Sequence, residues 1–201
     1  MVRIVVCRHG QTDENREGVL QGRMDTSLND RGMKEAEKLS RRIEGEELDH
    51  IYTSKLKRAQ QTAEKVAERQ NKDPEPLDRI QEIDLGELQG KDVEKWHEKI
   101  LEKEEALHHW KPEKGESMQE VEQRTREALE KFAETHENEQ ILVVAHGAAI
   151  RAIIMGILDT KRDKYLNISQ GNTCINILEF HEEIGWVIER LNDTSHLESS
   201  L

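Results

Sequence analysis

Two short runs of this 201-residue chain end in the same way. Val5-Val6-Cys7 leads into Arg8-His9-Gly10, and Val143-Val144-Ala145 leads into His146-Gly147. Each is an apolar segment that delivers an imidazole at its carboxyl end, followed by a glycine that lets the backbone turn. Imidazole changes charge near neutral pH and offers either a lone pair or a proton, so it can act as nucleophile, base or acid. A single histidine is most often a surface group or a satisfied core group. Two in the same position at strand ends, one beside an arginine, point to chemistry instead. In open α/β sheets, ligands bind in the crevice outside the strand carboxyl ends. If the two strands are neighbours, His9 and His146 face one another there. Arg8 adds a charge at a buried strand end, a costly placement without a partner.

The rest of the pattern supplies elements able to hold such a crevice. Val2 to Cys7 and Ile141 to Ala145 are β-branched runs of the kind buried on both faces of a parallel sheet. Asp49 to Thr53 reads as a further strand. Met33, Ala36, Leu39 and Ile43 recur at helical spacing. Leu56, Ala59, Ala63, Val66 and Ala67 trace a second helix, with Thr53 or Ser54 expected as its cap. Ser117 and Glu120 form a capping-box signature ahead of a helix bearing Met118, Val121, Leu129 and Phe132. A helix through Ile150, Ile153, Ile154 and Ile157 follows the second histidine. Gln11 to Asn29 is a long polar stretch with expected turns at Gly18 and Gly22, and long ordered loops are usually functional. Asn71 to Pro76 reads as a loop, Leu77 to Ile83 as a short strand, and Asn172 to Phe180 with Ile184 to Leu191 as a hairpin or an edge strand pair. Strands alternating with helices predict an α/β, three-layer sandwich with a mostly parallel central sheet and helices on both faces. One domain over 1–201 is expected, with a small helical insertion at about 91–115 and a loose tail at about 197–201.

Composition narrows the partners. Against 42 acidic side chains stand 30 basic ones, a formal net charge of -12. Leu, Ile, Val and Phe make up about 23 % of the chain, just above the level of about 20 % below which high charge signals disorder. A folded domain with a modest core and a charged surface is expected. An acidic chain repels phosphate backbones at long range, so no nucleic-acid partner is expected. Cys7 and Cys174 both sit in apolar, strand-like runs, which disfavours a secreted disulfide scaffold. Met1 to Cys7 is too short for a signal peptide, and Ala148 to Leu158 is interrupted by Arg151 and too short to span a membrane. The expectation is a cytoplasmic protein with no membrane partner.

Taken together, the motifs resemble the signature of the histidine phosphatase superfamily, which includes the cofactor-dependent phosphoglycerate mutases. The resemblance rests on Arg8-His9-Gly10-Gln11-Thr12 with Asn15, and on Ser54 to Ala59 with Thr62 and Ala63. It extends to Gln81-Glu82 ahead of Gly86 and Gly90, to Gly115-Glu116-Ser117 and to Val144-Ala145-His146-Gly147, in the family's order. Asn172 is also family-like. The motifs span about residues 3 to 151. Some positions depart from the pattern: Lys55 where an acid is frequent, Gln81 for an arginine, Leu88 for an aromatic and Lys114 for a second glycine. None is a proposed catalytic position, so they bear on substrate contacts and loop packing.

The resemblance implies that His9 attacks phosphorus in line and forms a phosphohistidine. A phosphomonoester is a dianion, and a neutral imidazole approaches it without charge repulsion; neighbouring arginines disfavour its protonation. Arg8 and Arg58 are then expected to hold the nonbridging oxygens, with His146 as a further donor. Asn15, Gln21, Thr12 and Gly147 are expected to contribute substrate contacts. Glu82 is the expected proton donor to the leaving alkoxide and later the base toward water. On helical spacing alone, Arg58 reads as a surface arginine, and only its position in the motif singles out Glu82 among the acids. No metal and no cofactor are expected; His108-His109 with Glu104 and Glu105 make a poor metal site, because adjacent helical histidines project about 100° apart. Trp96, Leu107 and Trp110 are expected either to wall the leaving-group pocket as a lid or to pack on the sheet. The Glu94 to Glu105 runs read as solvated helix faces. A metal-independent phosphatase acting on a small phosphorylated metabolite is the leading reading, and a homodimer is possible. A phosphoglycerate mutase and a catalytically silent phosphate-binding scaffold are the alternatives. The compact Gly90 to Gly115 stretch favours hydrolysis, since family mutases usually carry a longer one.

Overall fold

The computed structural model describes residues 1–94, 108–159 and 162–198. Six strands form one sheet: β1 (Val2–Arg8), β2 (His50–Thr53), β3 (Glu75–Pro76), β4 (Gln140–Ala145), β5 (Ile175–His181) and β6 (Gly185–Asp193), in the order β3-β2-β4-β1-β5-β6. The first four in that order run parallel, while β5 is antiparallel to β1 and to β6. Side chains alternate across a strand, and both sets are apolar here. Ile4 and Val6 of β1 and Ile141 and Val143 of β4 pack against Leu129, Phe132, Ile150 and Ile154. Val5, Cys7, Leu142 and Val144 face the other way, toward Leu39, Ile43, Ala63 and Val66. Helices therefore cover both faces, as expected from strands that read as continuous apolar runs.

One face carries α2 (Asp30–Ile43) and α3 (Lys57–Gln70); the other carries α4 (Met118–Thr135) and α5 (Gly147–Leu158). The Ser117–Glu120 capping box at the start of α4 is formed as expected. Helix α3 corrects its expected cap. Leu56 occupies the cap position without a side-chain bond, and Ser54 Oγ accepts from Leu56 N instead. The first free amides of α3 go to the preceding loop: Lys57 N donates to Asp25 Oδ1 at 2.8 Å and Arg58 N to the Thr26 carbonyl. Loop and helix are thereby fastened together.

Two local readings need revision. The stretch after His9 contains a short helix, α1 (Asp13–Glu17), capped by a reciprocal Thr12–Asn15 box and closed by Gly18 at φ 67°. Asparagine at the third helical position in place of Glu or Gln hid that signature. The expected strand over Leu77 to Ile83 does not form. Pairing to β2 ends at Glu75–Pro76 and a Leu77 bond to Thr53, after which Asp78–Ile80 makes a 3-10 turn. The chain ends its described part in α6 (Ser195–Glu198), where His196 is buried and Leu197 O accepts from Lys38 Nζ; the rest of the expected tail, 199–201, lies outside the described residues. In the insertion, Leu20 N and Val93 N bond to Lys91 O and Gly18 O, joining it to the first loop. Trp96, Glu104, Glu105, Leu107 and the rest of 95–107 lie outside the described residues. Among the described residues, no helix is long and apolar enough to cross a membrane.

Candidate active site

Strands β1 and β4 are adjacent and in register, Arg8 opposite Ala145, so the next residue of each is an imidazole. His9 and His146 sit with ring centroids 5.1 Å apart, and both are buried. His9 is held by a short bond from Nδ1–H to the carbonyl of Gly10, 2.7 Å. That leaves Nε2 as the lone-pair nitrogen, and it accepts from Arg58 Nε at 3.3 Å. Burial, then the charges of Arg58 and Arg8, hold the His9 pKa well below the usual histidine value. The same causes, burial first, act on His146. Two neutral imidazoles thus stand beside two cations.

The turn after His9 depends on close backbone packing. A Cβ on Gly10 would lie 2.5 Å from the Gly32 carbonyl oxygen, and one on Gly32 only 2.0 Å from that of Gln11. Gly10 N donates to Thr62 Oγ1, which in turn donates to the Arg58 carbonyl one helical turn earlier. His9 and Arg58 are therefore fixed through one shared hydroxyl. Arg58 is buried, not a surface arginine, and its guanidinium reaches the carbonyls of Gly22 and Met24 and the Thr26 hydroxyl. Burial pushes its pKa down to about 10, which leaves it cationic at neutral pH. Arg8, lowered by burial as well, donates Nη1–H to the Gln170 carbonyl at 2.6 Å.

Glu82 arrives from a different direction. Its Oε1 accepts from Ile83 N at 2.9 Å and from Ala148 N at 3.1 Å, at the amino end of α5. Arg124 and Arg23 both hold its main-chain carbonyl, and Glu116 pairs with both arginines. The Gly115-Glu116-Ser117 segment thus braces the acid loop and starts α4 at once. Lys114, at the position where the family pattern has glycine, adopts φ 59°.

These groups surround a cavity of about 320 Å³. Arg8, His9, Arg58, Glu82, Asn15, Gln21 and Gly147 all line it. Two expected contacts do not. Thr12 is buried and spends its side chain capping α1, and His146 lies behind His9, fully buried. Among the described residues, Arg8 Nε and both ring nitrogens of His146 are buried without a hydrogen-bond partner. Buried polar atoms in that state call for a polar guest. Sequence reasoning missed the cavity's second half: Arg151 and Tyr165 on one side, with Val19, Leu85 and Met118 as apolar wall. The available signal was Arg151 itself, a charge inside an apolar helix one turn after Gly147.

Comparison with known proteins agrees with the geometry. The family model of the histidine phosphatase superfamily (branch 1) matches residues 4–194. The chain belongs to this superfamily. It is 34 % identical to phosphoserine phosphatase 1 of Hydrogenobacter thermophilus, over 98 % of this chain and 95 % of that protein. It is 33 % identical to a metal-independent phosphoserine phosphatase of Arabidopsis thaliana, over 99 % and 84 %. The crystal structure of a mutant phosphoserine phosphatase from Entamoeba histolytica, in complex with phosphoserine, superimposes with a TM-score of 0.89 at 29 % identity, covering 98 % of this chain and all of that one. The histidine phosphatase fold expected from the motifs is the fold of the chain.

Proposed function

We propose that the chain is a metal-independent phosphomonoester hydrolase that works through a phosphohistidine on His9. The observation that carries this reading is the state of His9: Nδ1–H committed to the Gly10 carbonyl, and Nε2 unprotonated toward the cavity beside Arg58. The Nε2 lone pair attacks phosphorus as the ester P–O bond breaks on the opposite side. The departing alkoxide takes its proton from Glu82. The Gly10 carbonyl stabilises the cationic ring, while Arg8 and Arg58 take up the charge on the equatorial oxygens. In the second half, Glu82 removes a proton from water, the new P–O bond replaces P–N, and inorganic phosphate leaves His9 neutral. Asn15, Gln21 and Gly147 line the path of the substrate.

The substrate class that fits is a small phosphorylated metabolite carrying a carboxylate, such as phosphoserine. Arg151 supplies a third cation in the same cavity, beyond Arg8 and Arg58, and the relatives named above are phosphoserine phosphatases. Relatives also include a probable phosphoglycerate mutase of Cronobacter sakazakii, 30 % identical over 99 % of this chain, so the acceptor of the phosphoryl group has to be measured. Incubation with phosphoserine and with 3-phosphoglycerate, following free phosphate, is expected to give steady release. Interconversion of 2- and 3-phosphoglycerate without release would overturn hydrolysis in favour of mutase action. Loss of turnover in a folded His9→Ala variant is expected; unchanged turnover would remove the nucleophile assignment.

A further inference from the structure

At the other end of the sheet, three side chains from separate elements converge. His50 opens β2, His136 follows the last turn of α4, and Glu139 precedes β4. His50 and Tyr52 are alternate residues of one strand and so share a sheet face, with rings stacked 6.1 Å apart. Phe132 and His136, one helical turn apart on α4, pack onto Tyr52. His136 Nδ1 lies 2.6 Å from Glu139 Oε2, and His50 Nε2 lies 3.6 Å from the same oxygen. One donor atom from each of the three falls within 4.8 Å of the others. The opposite ring nitrogens are also engaged. His136 Nε2 lies 3.0 Å from the Tyr52 hydroxyl, and His50 Nδ1 lies 3.5 Å from Glu75 Oε1 on β3.

We propose that His50 Nε2, His136 Nδ1 and Glu139 Oε2 form a binding site for one divalent ion of the zinc type. Two imidazoles and a carboxylate form a ligand set for zinc or its neighbours in the first transition row, not for magnesium or calcium, which want oxygen. Metal–nitrogen and metal–oxygen bonds of about 2.0–2.2 Å in a tetrahedron put ligand atoms roughly 3.3–3.5 Å apart. The His50–Glu139 separation is already close to that value. The His136–Glu139 pair opens slightly when the ion takes the place of the shared proton, and half-exposed His50 swings in to meet it. Water completes the shell. Tyr52 and Glu75 are what makes this more than a surface cluster. Tyr52 holds the far nitrogen of His136 by a hydrogen bond and Glu75 lies within ion-pair distance of that of His50, the outer-shell arrangement that orients histidine ligands in metal sites. The ion ties β2, α4 and β4 together where the start of the sheet meets the end of one helix. Because β4 runs from this cluster to His146, the site lies about 20 Å from the catalytic crevice and holds no part of it.

The test uses the full chain, stripped with chelator and dialysed, with zinc chloride as the probe. Calorimetric titration is expected to give one site per chain, and zinc to raise the melting temperature. In His50→Ala and in Glu139→Gln, each verified as folded by circular dichroism, affinity is expected to fall at least tenfold and the thermal shift to vanish. Tyr52→Phe is expected to weaken binding about tenfold while keeping the stoichiometry. Phosphate release from an aryl phosphate is expected to be unchanged in all three variants without zinc. Absence of zinc binding to the parent chain would overturn the proposal. So would zinc bound equally by the parent, His50→Ala and Glu139→Gln, because that ion would belong elsewhere, for instance at His9 and His146.

Discussion

At the scale of single residues, the proposed division of labour makes separable demands. Glu82 is needed only if the leaving oxygen needs a proton. Glu82→Gln keeps the bonds from Ile83 N and Ala148 N and removes the acid, so kcat on phosphoserine is expected to fall about 10²–10⁴-fold. On 4-nitrophenyl phosphate, whose phenolate leaves readily, the first step should be far less affected. Equal losses on both substrates in single-turnover measurements would mean that Glu82 does not protonate the leaving group. Arg151 makes the complementary demand. It lines the cavity and donates through Nε to the Ile168 carbonyl, which leaves its terminal nitrogens for a substrate carboxylate. A hydrogen bond to a charged group is worth about 1.5–3 kcal/mol, so Arg151→Leu is expected to raise KM for phosphoserine by about 10–100-fold. KM for 4-nitrophenyl phosphate, which has no carboxylate, should stay within a factor of a few. A parallel rise for both would assign Arg151 to general packing of the cavity wall.

Among elements, the junction of β1, α2 and α3 carries the most constraint. Thr62 accepts from Gly10 N and donates to Arg58 O, wholly buried. Thr62→Val keeps the volume and strands the Gly10 amide, a loss of about 1–3 kcal/mol. Urea unfolding should show that loss, and turnover should fall as well, because His9 and Arg58 lose their common anchor. Stability lost with turnover intact would separate the anchor from the site. Much of this architecture was legible in the chain. Strand ends followed by His-Gly, helical spacing of small apolar residues and the Ser117–Glu120 box each report a local backbone requirement, and local requirements are written in short windows. Contacts made across the fold are not. Arg58 reads as a surface arginine on spacing alone because nothing near it reveals that residues 22–26 wrap over it. Tyr165 and Met118 meet Arg151 only through tertiary packing, and His50 is brought to the local His136–Glu139 pair only by the pairing of β2 with β4. The 3-10 turn at Asp78–Ile80 replaced an expected strand for a similar reason: an edge position with Pro76 ends the ladder that the apolar residues suggest.

For the molecule as a whole, the net charge of -12 and the site pull in opposite directions. Its long-range field opposes an anionic substrate, and in the proposed function recognition comes from Arg8, Arg58 and Arg151 concentrated in one crevice. Keeping those cations next to two buried imidazoles has a cost that appears with pH. His9 and His146 are held neutral in the folded chain, their pKa values well below those of free histidine, by burial first and the arginines second. Unfolding releases both to the ordinary value of about 6.5. Below that pH the unfolded chain binds protons that the native chain refuses, so stability is complete above about pH 6.5 and declines as pH falls. The slope approaches about 1.4 kcal/mol per pH unit for each such histidine. Asp193, held down to about 2 chiefly by its bond from Ser195 N, acts in the same sense but only at lower pH, below about 4. His196 is lowered by burial as well, so three histidines set the first window. Urea denaturation between pH 7 and pH 5 is expected to lose stability with the uptake of about two to three protons, falling by about one in His146→Gln. A flat profile over that range would mean that the imidazoles take up protons in the folded chain as readily as in the unfolded one. Burial and the arginines would then not be what keeps the nucleophile neutral, and a rise in stability toward pH 5 would mean that the imidazoles are held charged.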